Sequence, residues 1–363
     1  MNLLNNYLTN IGNVLGINNL SKNCIAVTHA SSGKGNLALN GAFELTQTGA
    51  NSQILLKQIR RIYYINPIHE IFLETNLKIL NKILKNTSQD EIIVNVDIEK
   101  RPYYGNHKES SIYIHNETNH RGSTGSFFYQ GISVRTHYGN VFISLKLLSI
   151  FDDPVKDALT VLEFLKEKYN IKLVLFDRGY NSYELVDKLN TLGLNYMIFW
   201  RKSGKTWTTI FQELKDSSSC CVRKKVSWCF LGEKHLFDAR FVIIKQLQFL
   251  DDKKKYDWIF CTNLNLNEID KYVSFYRKRW GIETAFRVFD GGEIKTTSKD
   301  RCIRQMVYYL SALIYNIWIL AKSQISKDLT FTNFYEVLLV YLRKIYNIQF
   351  LFKNEILELL EKG

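Results

Sequence analysis

Proline is scarce in this chain. Pro67, Pro102 and Pro154 are the only three in 363 residues, so helices and strands can run long and no Pro-rich linker is expected. Cysteine is thin as well. The six (Cys24, Cys220, Cys221, Cys229, Cys261 and Cys302) form no CxxC pair and no zinc-knuckle spacing, which argues against a disulfide scaffold or zinc ribbon and for reduced thiols. Long apolar runs are missing too. The longest, Val307 to Ala321, is broken by Ser311 and Asn316 and falls short of the roughly 20 residues that span a bilayer. It reads as a buried core helix, and no membrane partner is expected. The opening MNLLNNYLTNIGNVLG has neither the basic region nor the small-residue cleavage site of a secretory signal, so a cytoplasmic address is expected. No internal repeat marks a solenoid.

Acidic residues are outnumbered, 35 Asp+Glu against 48 Lys+Arg, for a formal charge of +13. Such an excess favours a polyanionic partner, either nucleic acid or an anionic membrane surface. With 46% hydrophobic residues, the chain can fill real cores and is not disordered or fibrous.

The order of elements indicates a fold class. Residues 1–90 carry helical periodicity at Asn2 to Leu15, from Asn40 through SQILLKQIRRIYYI, and at Ile68 to Leu84, which predicts a helical N-terminal module. Within it, HASSGKGN (His29 to Asn36) lacks the full phosphate-loop spacing and reads as a loop. Strands follow: EIIVNVD to Asp97, then SFFYQGISVRT and VFISLKLLS around a Gly-containing turn, an antiparallel hairpin. Pro154 opens an amphipathic helix to Tyr169. Ile171 to Asp177 is a continuous apolar run, as in a strand buried on both faces. A helix at Ser182 to Leu192 and a strand at Asn195 to Trp200 complete the series. This succession predicts a ribonuclease H-like α/β fold with a mixed sheet, whose first part is 91–200. Residues 201–261 break the alternation and read as an all-β insertion. The core resumes over 262–325 with two long helices, and a helical segment occupies 326–363.

Two carboxylates, Asp97 and Asp177, each end a predicted strand, the edge at which open α/β sheets build sites. A third stands in YRKRWGIETAFRVFD. There Tyr276, Arg279, Glu283, Phe286 and Asp290 follow at steps of three and four, which predicts one helical face, with Phe275, Ile282, Ala285 and Phe289 as the adjoining apolar stripe. Three converging carboxylates suit hard divalent cations. Two such ions can activate a water or a 3′-hydroxyl and stabilise the leaving oxygen of an in-line attack on phosphorus. Taken alone, Arg279 and Glu283 also read as a simple i,i+4 ion pair on an exposed face.

Tyr276, Arg279 and Glu283 match the tyrosine, arginine, glutamate spacing of insertion-sequence DDE transposases, and YRKRWGIE resembles their archaeal members most. VDIEKRPYYG around Asp97 and FDRGYNS around Asp177 resemble the first and second aspartate motifs of that family. The resemblance spans about Val94 to Leu320. It implies that Asp97, Asp177 and Glu283 bind Mg²⁺ or Mn²⁺, as two ions, and that Tyr276 and Arg279 hold the element's end through phosphate contacts. It further implies cleavage at the terminal inverted repeats, 3′-hydroxyl transfer into double-stranded target DNA, a homodimeric paired-end complex and a nucleoid location. The family pattern has a lysine seven residues after the glutamate, where this chain has Asp290, so Arg287 or Lys295 becomes the candidate for gripping phosphate.

Other DNA contacts are expected at Trp200 and Arg201. Trp207, Trp228 and Trp258 lie in the insertion among Arg223, Lys224 and Lys225, and read either as small-domain core or as base-stacking surfaces. Lys57, Arg60 and Arg61 are a further basic cluster. His107, His115 and His120 read as loop histidines rather than zinc ligands. Two rival functions remain: a ribonuclease H-type nuclease without strand transfer, and a decayed copy that binds element ends and represses.

Overall fold

The structure is a computed structural model that describes residues 52–65, 67–87, 89–106, 111–118, 120–215, 218–248, 255–291, 296 and 298–345. The expected helix at Asn2 to Leu15, the loop at His29 to Asn36, His107, Lys295 and the segment past residue 345 lie outside those residues.

Helices α1 (Ser52–Ile65) and α2 (Ile68–Thr87) come first, separated by Pro67, which cannot donate to a continuing helix. The sheet then opens with β1 (Glu91–Tyr103), β2 (Gly125–Thr136) and β3 (Gly139–Leu148). After it come α3 (Pro154–Lys168), β4 (Asn170–Phe176), α4 (Tyr183–Thr191) and β5 (Tyr196–Phe199). Asp153 caps α3, its carboxylate accepting from the amides of Val155 and Lys156, and Pro154 fits the first turn, where no amide is needed.

Among the described residues the sheet has eight strands in the order β3-β2-β1-β4-β5-β8-β7-β6. The β1–β4 and β4–β5 pairs are parallel and the other pairs are antiparallel. The last three strands are β6 (Ser219–Phe230), β7 (Glu233–Gln248) and β8 (Lys255–Thr262). Residues 201–261 are therefore not all β. They include helix α5 (Lys205–Glu213), and their strands extend the same sheet, because β8 pairs with β5 from Met197↔Thr262 to Phe199↔Phe260.

Side-chain alternation divides β4 between two cores, as its unbroken apolar run implied. Val174 and Phe176 join the larger cluster with Leu162, Leu185 and Tyr196. Leu173 and Leu175 face Met197, Phe260, Val273 and Tyr276, which brings helix α6 (Ile269–Arg277) onto the opposite surface. Helix α7 (Trp280–Asp290) follows, then α8 (Arg301–Gln324) and α9 (Phe331–Ile345).

Helix α8 is the buried core helix expected from the Val307 to Ala321 run, and two of its buried polar residues, Gln305 and Asn316, have a structural use. Among the described residues β3 is an edge strand, with one row of backbone groups that no strand pairs. Asn316 accepts from the Phe142 amide at 2.9 Å and donates to the Phe142 carbonyl at 2.8 Å. Gln305 does the same for the Leu147 amide and the Leu145 carbonyl, at 2.6 and 3.1 Å. The helix thereby closes the sheet edge that would otherwise template pairing with another chain. Among the described residues no helix is long and apolar enough to cross a membrane.

Candidate active site

The strand that carries Asp97 is longer than its sequence suggests. β1 runs six residues past Asp97, to Tyr103, because β2 keeps pairing with it through Tyr103↔Gly125. Its parallel partner β4 stops earlier, the last pair being Val96↔Phe176. Asp97 and Asp177 are the next residue on each strand, so they stand beside one another where the two strands part.

The third carboxylate arrives on a broken helix. Backbone hydrogen bonds from Lys278 to Phe275, Arg279 to Tyr276, Gly281 to Lys278 and Ile282 to Arg279 all close three-residue turns, and the helix splits into α6 and α7. The expected single face from Tyr276 to Asp290 is split accordingly. Three-residue turns nearly eclipse positions i and i+3, so Tyr276 and Arg279 stay together, and Arg279 Nε donates to the Tyr276 hydroxyl at 3.0 Å. Phe286 is buried against Phe142 and the Gly131 backbone instead. Asp290 accepts from the Arg101 guanidinium of β1. Gly281 is in close approach to Asn140, since a Cβ there would lie 2.5 Å from Asn140 Nδ2 and that side chain would have to shift.

Arg279 is the centre of the site. Its side chain is 5% exposed and its Nη1 meets Asp97 Oδ2 at 2.8 Å. Nη2 lies 3.7 Å from Asp177 Oδ1 and also donates to Glu283 Oε1. One guanidinium thus touches all three acids, contributed by β1, the end of β4 and the first turn of α7. Burial pushes the Asp97 carboxyl up to about 7, Arg279 counteracts, and Asp177 and Glu283 push it further up. Burial alone would lower Arg279, yet Tyr276 and the three carboxylates outweigh it and hold the guanidinium above its ordinary value. Burial also raises the Tyr276 hydroxyl.

Asp177, Glu283 and Arg279 open onto a cavity of about 650 Å³ whose walls include Trp200, Arg201 and Trp280. Arg201 and Trp280 are exposed, and Trp200 is buried, stacked on Tyr183. Trp207 and Trp258 are buried as well, so these tryptophans serve the core. Arg287 is exposed and makes no wall of the cavity. Arg60 is tied to Asp300 at 2.5 Å, the residue that caps α8, while Lys57 and Arg61 are exposed. His115 meets the Leu148 carbonyl and stacks on Phe128, and His120 lies in a turn with Ser123.

Sequence reasoning assigned Arg279 to phosphate and missed it as the hub of the carboxylates. Its i,i+4 relation to Glu283 was the visible half of that role. Also unforeseen was Arg101, two positions beyond Glu99 on the Asp97 side of β1, which takes Asp290 as partner.

The donor chemistry of the three acids fits Mg²⁺ or Mn²⁺, which prefer hard oxygen ligands. Among the described residues, however, no three His, Cys, Asp or Glu side chains are arranged to hold an ion as they stand; the guanidinium occupies the point on which the acids converge.

Three comparisons bear on this geometry. Residues 146–317 match the model of the family described as Transposase DDE domain, a span that includes Asp177, Arg279 and Glu283 and leaves out Asp97. The fold is similar to that of piggyBac transposase in a cryo-EM structure of its synaptic complex with hairpin DNA, at a TM-score of 0.56 and 11% identity, over 90% of this chain and 70% of that one. No curated protein matches the sequence.

Proposed function

We propose that this chain is the transposase of an insertion sequence, with Asp97, Asp177 and Glu283 as its catalytic, metal-binding carboxylates. The observation that carries the reading is the convergence of those three acids, from three separate elements, on one buried cation. The match to a DDE transposase domain across the second and third acids supports it, and so does a sheet of the kind found in a transposase.

In this reading residues 91–200 and 262–325 form a ribonuclease H-like core, and 201–261 are inserted between them. Residues 1–90 contribute DNA binding and 326–363 a C-terminal helical segment. The substrate is double-stranded DNA at the terminal repeats, held by a homodimer in a paired-end complex. Divalent ions supply Lewis-acid activation of the attacking oxygen and charge stabilisation at phosphorus. Asp97, Asp177 and Glu283 hold them with hard oxygens. Arg279 turns from the carboxylates to the DNA phosphate, for which its planar fork is suited. Tyr276 orients that fork through its hydroxyl. Arg201, and Arg287 or Lys295, add cationic contacts, with Trp200 behind them as a wall. The outcome is hydrolysis at the element's ends, then attack of the freed 3′-hydroxyl on target DNA.

A supercoiled plasmid carrying the flanking repeats tests this directly. Cleavage must require Mg²⁺ or Mn²⁺, and the cut 3′ end must be captured in target DNA. Asp97→Asn, Asp177→Asn and Glu283→Gln should each abolish cutting while salt-sensitive DNA binding persists. Cutting without capture would assign a nuclease, and binding without cutting a repressor copy. Normal cutting by any one variant would remove that residue from the site.

A further inference from the structure

The β6–β7 ribbon ends in a turn that the proposed active site does not use. The pair Phe230↔Glu233 closes it around Leu231 and Gly232. Leu231 has φ 49°, the only non-glycine residue at positive φ among the described residues, and it is 88% exposed. Glycine or asparagine takes that conformation with less strain, and a polar side chain is the ordinary choice at a hairpin tip. A strained, exposed leucine satisfies neither local preference, and strain of this kind marks positions held for a use. Phe230 and Leu236 beside it are also exposed.

Just behind the tip the ribbon is fastened. The Trp228 indole donates to Asp187 Oδ2 of α4 at 2.8 Å and stacks on His235 at 4.4 Å. Strand β8 supports β7 only from Phe241 onward, so among the described residues the sheet is two strands wide from Arg240 to the turn. On one face of that ribbon the register sets Arg223, Lys225 and Lys234 with Leu236, and Asp238, opposite Lys225, is the acid among them. All five are exposed.

A two-stranded ribbon fits a DNA groove, basic side chains on one face suit the phosphates, and apolar wedges such as Phe and Leu enter base steps and unstack them. A second copy of the chain is disfavoured as the occupant, because it would bring like charges together. We infer that the β6–β7 ribbon lies along a groove of duplex DNA, with Arg223, Lys225 and Lys234 on the phosphates, and inserts Leu231, backed by Phe230, between base pairs as a wedge. This deepens the proposed function and rests on its claim that the chain acts on duplex DNA.

The test uses the full chain in chelator, so that no strand is cut, with a relaxed closed-circular plasmid and a metal-independent topoisomerase. After removal of protein, the linking number should be lowered in proportion to the protein bound. Leu231→Gly should reduce that change per bound molecule at least about threefold, as expected when a wedge is removed. Its melting temperature should hold or rise, because glycine suits φ 49°, so misfolding cannot mimic the result. Lys225→Ala and Lys234→Ala should each reduce the salt slope of binding by about one. Binding without any change in linking number overturns the wedge and leaves the transposase reading standing. Unwinding by Leu231→Gly equal to the parent's also overturns it, as does a Leu231-dependent affinity for anionic phospholipid vesicles with no effect on DNA. Failure to bind duplex DNA at all overturns both readings.

Discussion

Arg279 Nη1 donates to Asp97 Oδ2 at 2.8 Å across 182 positions of sequence, with both side chains almost wholly buried. The contact ties the start of α7 to the middle of β1 and neutralises a carboxylate that water barely reaches. It also explains how three acids can share one place. The guanidinium supplies positive charge to all of them, and Tyr276 keeps it aimed.

Removing that cation should be costly. Arg279→Ala leaves Asp97 buried with no counter-charge and only the Ile98 amide as partner, and above pH 7, where that carboxyl is ionised, breaking a buried ion pair costs about 3–5 kcal/mol. The loss should be largest in chelator and partly restored by Mn²⁺, which supplies charge at the same carboxylates. Arg279→Lys should recover little, because a point charge cannot reach three acids as a planar fork does. Thermal melts with and without Mn²⁺ measure this. A variant that melts like the parent in chelator would show that Arg279 is not the counter-charge.

The raised Asp97 carboxyl carries a pH signature. Its folded value of about 7 lies above the ordinary 3.8, so between those values the folded chain holds a proton that the unfolded chain has released. Stability from this group is therefore greatest at low pH and is lost as pH rises toward 7. Asp97→Asn, which cannot ionise, should match the parent near pH 4 and exceed it above pH 7, by about 4 kcal/mol at most, since each unit is worth about 1.4 kcal/mol. Urea melts in chelator from pH 4.5 to 8 give the difference. Parallel stability curves would mean that Asp97 ionises as an ordinary surface acid.

How much of this was legible differs by residue. Asp177 was plain, because an unbroken apolar run ends at it and the run packs on both faces. Asp97 was located, but its strand was cut short: the pattern shows an end where only the β4 pairing stops, while β2 continues. The strands of 201–261 were visible from their composition. Their membership in the main sheet was not, because it depends on Met197 finding Thr262, a long-range pairing that no local pattern encodes. Helical spacing joined Tyr276 to Glu283 correctly in space while missing the tightened turns between them. Ser311 was seen as an interruption of an apolar run, and so was Asn316, whose partner on β3 could not be read from spacing.

Close packing under α7 gives a sharper test of the frame around the site. A Cβ on Gly131 would lie 2.6 Å from the tip of the Phe286 ring and 3.3 Å from Leu145. Phe286 is itself boxed in by Phe142 and Phe289, so it cannot yield freely. Gly131→Ala should destabilise by about 1–3 kcal/mol, the usual cost of overpacking, and should lower cleavage by displacing the helix that carries Glu283. Paired denaturation and cleavage assays check both effects. A neutral Gly131→Ala would show that α7 is not packed tightly on β2.

Asp290 bears on how this chain differs from the transposase pattern that its sequence resembles. It stands where the family pattern has lysine, yet its carboxylate is taken up by Arg101, at side-chain exposures of 33% and 17%. Arg101 in turn lies over the Phe289 and Tyr308 rings. Introducing the lysine would set two cations side by side where a half-buried pair now stands. Asp290→Lys is therefore expected to lose about 1–3 kcal/mol of stability and to gain no cleavage activity. Adding Arg101→Asp to that variant restores opposite charges, and a double-mutant cycle should then show recovery of at least half the loss. If Asp290→Lys instead folds as well as the parent and cuts faster, the aspartate is a lesion, and the Arg101 pair is incidental. The expected result would mean that β1 has supplied a cation from the Asp97 side of the sheet, and that the end of α7 is anchored by the charge reversal.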